Sequence, residues 1–82
     1  MMNDKWKHVA TCIEGQPVLI DGIDVWKHKW PATESRAKVK DPIYGQDFVF
    51  NVHTLNIEGK QIEFAAGEFS NGVWGIFRRE TI

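Results

Sequence analysis

Seven turn signals cut this chain into short pieces: Glu14-Gly15, Asp21-Gly22, Trp30-Pro31, Asp41-Pro42, Gly45, Glu58-Gly59 and Asn71-Gly72. Gly reaches the positive φ that tight hairpins need, Asp and Asn tolerate it, and Pro fixes φ while withholding an N–H from any ladder. The gaps between these marks suit strands and leave little room for helices of ordinary length.

The intervening segments carry strand chemistry, rich in Val, Ile, Phe, Trp and Thr. In residues 48–57, Phe48, Phe50 and Val52 oppose Asn51 and His53, after which Leu55 and Ile57 become the apolar set. That change of phase predicts a bulge or bend near Thr54. Ile62, Phe64 and Ala66 alternate with Gln61 and Glu63, so a hairpin through Glu58-Gly59-Lys60 is expected, and Asn71-Gly72 predicts a second one. The last 35 residues thus form a three-stranded antiparallel meander. Gly67 and Gly75 fall inside its strands, where a bulge or a closely approaching ring accounts for them.

Toward the N-terminus, residues 6–13 and 23–30 read as strands, with a short one at Pro17–Ile20 turned back through Asp21-Gly22. Residues 32–40 fit a turn followed by an edge strand, although Thr33 is also placed to cap a helical turn through Ala37. The expectation is one all-β domain over residues 1–82, a small antiparallel barrel or strongly curved sheet of about six short strands. The alternative is an α+β arrangement with one short helical segment near residues 33–38.

Eighty-two residues support one core, and four Trp and five Phe must supply much of its burial. A single cysteine, Cys12, excludes an internal disulfide framework and favours a reducing compartment. The N-terminus shows no apolar run behind a basic start, and no stretch is long and apolar enough for a helical membrane span, so a cytoplasmic protein without membrane contact is expected. The net charge of −1 argues against binding nucleic acid through global electrostatics. Residues 1–41 carry seven basic against six acidic groups and residues 42–82 three against five, so neither half is a charged tail.

Trp26, His28 and Trp30 alternate with Lys27 and Lys29, which on a strand places two indoles and an imidazole on one face. With Tyr44, Phe69 and Trp74 they form a candidate aromatic binding surface, since indole faces suit bases, sugars or a partner's side chains. The competing assignment puts both Trp in the core, with His28 at its rim. Lys27, Lys29, Arg36, Lys38 and Lys40 form a candidate basic patch whose only interposed acid is Glu34, a pattern shared by single-stranded nucleic-acid binders and by protected edge strands.

His8, His28 and His53 have no metal-ligand spacing, and no phosphate loop, dinucleotide fingerprint or nucleophile elbow occurs, so no metal, cofactor or catalytic residue is assigned. Cys12 paired with a His, oriented by Asp24 or Asp47, is the remaining route to an enzyme or small-ligand site. The leading expectation is a non-enzymatic binding or protein-interaction module that engages a protein partner or a second copy of itself. A single-stranded nucleic-acid-binding barrel is the first alternative and a minimal enzyme or small-ligand-binding protein the second.

Overall fold

In the computed structural model, which describes residues 5–79, the chain is built almost wholly of antiparallel strands. Residues 1–4, on which the expectation of no signal peptide rests, lie outside the described residues. The strands are β1 (Trp6–Ile13), β2 (Leu19–Ile20), β3 (Ile23–Asp24), β4 (Ala32–Lys40), β5 (Asp47–Ile57), β6 (Lys60–Ser70) and β7 (Val73–Arg79). Five of them form a sheet in the order β1-β7-β6-β5-β4, while β2 and β3 make a separate two-stranded hairpin.

The C-terminal meander has the predicted connections. At the β5–β6 turn, Glu58 (φ 49°) and Gly59 (φ 81°) both take the left-handed conformation, so Ile57 pairs directly with Lys60. At Asn71-Gly72 the pairing of Ser70 with Val73 comes with a bulge at Phe69. Residues 32–40 form the edge strand β4, and the helical alternative at residues 33–38 is overturned. Ala37 and Val39 bury their side chains in the sheet's cluster and their backbones pair with Phe50 and Phe48, an arrangement that suits β-strand burial better than an isolated helical turn.

Both faces of the sheet are covered, at different places. One face carries Ala37, Val39, Phe50, Val52, Ala65 and Phe77, with Trp6, Phe48 and Phe69 packed against them. The sheet curls around this set until parts of β1 and β4 come within 8 Å, Cα to Cα. Small residues permit the curl. Phe50 lies against Gly67 and Phe69 against Gly75 so closely that a Cβ at either glycine would overlap the ring.

The opposite face carries Cys12, Leu55, Ile62, Phe64, Ala66 and Ile76. Val18, Ile20, Val25, Trp26 and Trp30, from the long β1–β4 connection, cover it. Val25 is wholly buried there, a contribution of about 1.5–3 kcal/mol from that side chain alone.

This double covering corrects the bulge expected near Thr54. Pairing of β5 with β6 runs unbroken from Asn51–Ala66 to Ile57–Lys60. Phe50 and Val52 are buried in one cluster and Leu55 in the other, so the apolar phase changes because the cover changes sides. The irregularity lies instead in β4, where residues 33–35 bulge opposite Val52 and Thr33 Oγ1 donates to the Val52 carbonyl at 3.0 Å.

Candidate functional site

Residues 23–30 do not form the expected strand. After Ile23–Asp24 the chain makes a single 3-10 turn, Val25–Lys27, capped by Asp24. The Asp24 carboxylate accepts from the Trp26 N–H at 3.1 Å and the Val18 N–H at 3.4 Å, using the local bonding that favours Asp at a turn start over a ladder. The Trp30 indole N–H reaches back to the Val25 carbonyl at 2.7 Å. Thr54 N–H donates to the Pro31 carbonyl at 3.4 Å, tying this segment to β5.

The candidate aromatic surface therefore divides. Trp26, Trp30 and Trp74 meet: centroids of Trp26 and Trp30 lie 4.6 Å apart, Trp26 and Trp74 5.4 Å, Trp30 and Trp74 5.7 Å. His28 is not among them. It is exposed, because the turn replaces the strand that would have put it on the Trp face, and it borders two other hollows. Phe69 belongs to the opposite face of the sheet, 5.1 Å from Phe48 and 5.5 Å from Phe50. Tyr44 is 84% exposed on the β4–β5 loop. That loop is held by Asp41, whose carboxylate accepts from Ile43 N–H at 2.9 Å and whose carbonyl accepts from Gly45 N–H at 2.8 Å.

The basic patch divides as well. Lys27 lies in the 3-10 turn and Lys29 just after it, each bordering a hollow beside His28. Arg36, Lys38 and Lys40 stand on β4, paired across the ladder with Asn51, Val49 and Asp47. Two-residue alternation puts these six side chains on the face that also carries Trp74, Ala66 and His53.

A groove of about 250 Å³ opens on that face, lined by Trp30, Val49, Asn51, His53, Ala66 and Trp74, with Phe50 and Gly67 completing it. Its position follows from the sheet. The β5–β6 ladder ends at Asn51–Ala66, beyond which β5 pairs only with β4 and β6 only with β7. The two indoles stand at 84° to each other and make one corner of the groove. Both indole N–H groups are engaged, Trp30 with Val25 and Trp74 with the Glu14 carboxylate at 3.2 Å, so the rings are held in place and offer their carbon surfaces.

His53 lies 5.4 Å from Trp30 and 5.7 Å from Phe64 and is 8% exposed. Its Nδ1 is buried without a hydrogen-bond partner. Burial lowers its pKa, opposed in part by the backbone at Trp30, Ala66 and Pro31, so the neutral imidazole is favoured. His53, Asn51 and Val49 are not among the binding residues expected from the sequence. The available signal was the shared parity of these three on a strand whose other face carries the Phe residues.

The arrangement offers little to nucleophilic catalysis. Cys12 is 6% exposed against Trp26, and burial pushes its thiol pKa up, only partly opposed by the indole N–H. Asp24 is committed to backbone N–H groups, and Asp47 pairs with Lys40 at 3.4 Å. His8 hydrogen-bonds Thr11 at 2.8 Å. Among the described residues no three His, Cys, Asp or Glu side chains gather as a metal ion requires, and no helix is long and apolar enough to cross a membrane.

A larger hollow of about 530 Å³ lies among Ile23, Asp24, Lys27, His28, Glu58 and Lys60. Leu19 and Ile57 add to its apolar lining, charges of both signs stand at its rim, and no indole fixes a ligand's orientation there. Comparisons with protein-family models, curated proteins and solved structures give no match.

Proposed function

We propose that this protein is a non-enzymatic binding module whose ligand seat is the groove between Trp30, Trp74 and β5. The observation that carries this reading is the fixed corner of two perpendicular indoles above a floor of Val49, Asn51 and Ala66, with His53 lining the groove beside it. Apolar walls with a few convergent polar groups are what small ligand seats share. The walls are fixed by hydrogen bonds within the protein, so binding a flat group costs little ordering of the site. The protonated, covered thiol of Cys12 and the commitment of Asp24 and Asp47 elsewhere support binding over catalysis.

Titration of ¹⁵N-labelled protein with neutral flat heteroaromatics (indole, quinoline, purine) tests the reading. Indole N–H signals of Trp30 and Trp74 and the Asn51 side-chain amide should shift together, and Val49→Tyr, at a 65% exposed position on the floor, should abolish the shifts. Shifts confined to the Lys27–Lys60 hollow, or none at millimolar probe, would overturn it.

A further inference from the structure

We infer that the occupant of this groove is single-stranded nucleic acid, one base lying against the Trp30–Trp74 corner while the phosphates follow β4. This rests on the proposed binding role of the groove and adds the ligand's chemistry to it. Three observations converge.

First, what the corner offers is ring surface. The Trp30 indole N–H is taken by the buried Val25 carbonyl and that of Trp74 by the exposed Glu14 carboxylate, so selection there is by stacking and shape, which every base satisfies.

Second, the groove carries groups for a base edge. Asn51 is exposed on the floor with an amide that both donates and accepts, and the largely buried His53, two residues further along the same face, completes the lining.

Third, the cations lie on the same face. Arg36 and Lys38 sit directly across from Asn51 and Val49. Neither has an acidic side-chain partner among the described residues. Lys40 has only the exposed Asp47 at 3.4 Å, a pairing that water and salt already weaken.

Along β4 the side chains of Arg36, Lys38 and Lys40 recur every second residue, about 6.6 Å apart. A row of positive charge thus runs beside the floor of the groove. A neutral heteroaromatic would leave that row unused, and a peptide would find no indole N–H free to bond its carbonyls. The net charge of −1 gives no long-range attraction, so the assignment rests on the local row of Arg36, Lys38 and Lys40. Two carboxylates lie at Trp74 and are engaged within the protein: Glu68, its cross-strand partner, accepts from the Gly72 N–H at 2.9 Å, and Glu14 accepts from the Trp74 indole N–H at 3.2 Å.

The test is fluorescence anisotropy with fluorescein-labelled dT12 and dA12 at 20 mM salt, alongside Trp quenching by the unlabelled strands. Single strands lose affinity with a salt slope of about −0.7 per neutralised phosphate, so three cations predict a roughly hundredfold loss between 20 and 200 mM salt. The double variant R36E/K38E, at two exposed positions of an edge strand, should weaken binding at least tenfold and flatten the salt dependence without changing the melting temperature. Val49→Tyr should also weaken it and remove the Trp quenching.

Binding that ignores Val49→Tyr would overturn the placement of a base in the groove. Thymidine monophosphate binding as tightly as dT12 would overturn the polymer in favour of a single nucleotide. If neither strand binds at 20 mM salt while neutral heteroaromatics still shift Trp30 and Trp74, the nucleic-acid assignment fails and the groove survives; if those are silent too, both fail.

Discussion

The ring of Phe50 on β5 occupies the space that a side chain on Gly67 of β6 would need. This contact lies where the β5–β6 ladder stops, and a phenyl ring takes over from hydrogen bonds as the link between the strands. Phe69 repeats the arrangement over Gly75, on the neighbouring strand β7. Gly67→Ala and Gly75→Ala should therefore each destabilise the protein by about 1–3 kcal/mol, the usual cost of overpacking. Urea denaturation checks this. The double variant G67A/F50L should recover part of the loss; equal losses in the single and double variants would mean that the ring contact is not the cause.

Asp24 performs two tasks with one carboxylate, closing the 3-10 turn at Trp26 and holding Val18. Asp24→Ala should cost about 1 kcal/mol through the lost cap and shift Trp emission to longer wavelength as Trp26 and Trp30 loosen. Asp24→Asn keeps an acceptor oxygen and should retain most of the stability. Trp30→Phe keeps a ring in place and leaves the Val25 carbonyl with the His28 N–H at 3.2 Å as its remaining donor, a loss of about 0.5–1.5 kcal/mol.

These same residues show what the chain's alternation reveals and what it leaves hidden. The meander was legible because Glu58-Gly59 and Asn71-Gly72 are two-residue turns, and such turns fix the pairing of the strands they join. Alternation on β5 was also legible, but alternation records which side is buried and is silent about what buries it. The handover from Val52 to Leu55 therefore has the pattern of a bulge, although its cause is that the β1–β4 connection covers the second face. Trp26, His28 and Trp30 misled for a related reason: three points at period two fit a strand, yet Asp24 is a turn cap. The groove depends on the divergence of β5 from β6 and on Trp30 meeting Trp74, 44 positions away in the chain, and local patterning contains neither.

Cys12 is buried against Trp26, and its thiol holds its proton beyond the ordinary value of 9.0. Folding therefore favours the protonated thiol, and the associated stability is present in full below pH 9.0 and lost as pH rises through the folded-state value. Ellman's reagent at pH 8 should react slowly with the native protein and at once with the protein in 6 M guanidinium. Trp26→Ala should open the path and speed the native reaction at least tenfold; an unchanged rate would show that Trp26 is not the cover.

His53 has the opposite sign. Its pKa lies below the ordinary 6.5 because the imidazole is packed among Trp30, Phe64 and the sheet, so the folded state resists the proton that the unfolded chain accepts. Stability from this group is complete above pH 6.5 and is lost as pH falls from there through the folded-state value, since the unfolded state binds more protons across that window. Melting temperatures at pH 7.5 and 5.0 check the sign: the native protein should lose stability on acidification more than His53→Phe does. Phe removes both the titrating group and the buried, unpartnered Nδ1, so this variant should match or exceed the native protein's stability at pH 5.0. At pH 7.5 it should remain folded while losing the polar group beside Asn51. Equal acid losses in the two proteins would place the titration elsewhere, and a variant that fails to fold at pH 7.5 would show that the imidazole makes a bond that its surroundings require.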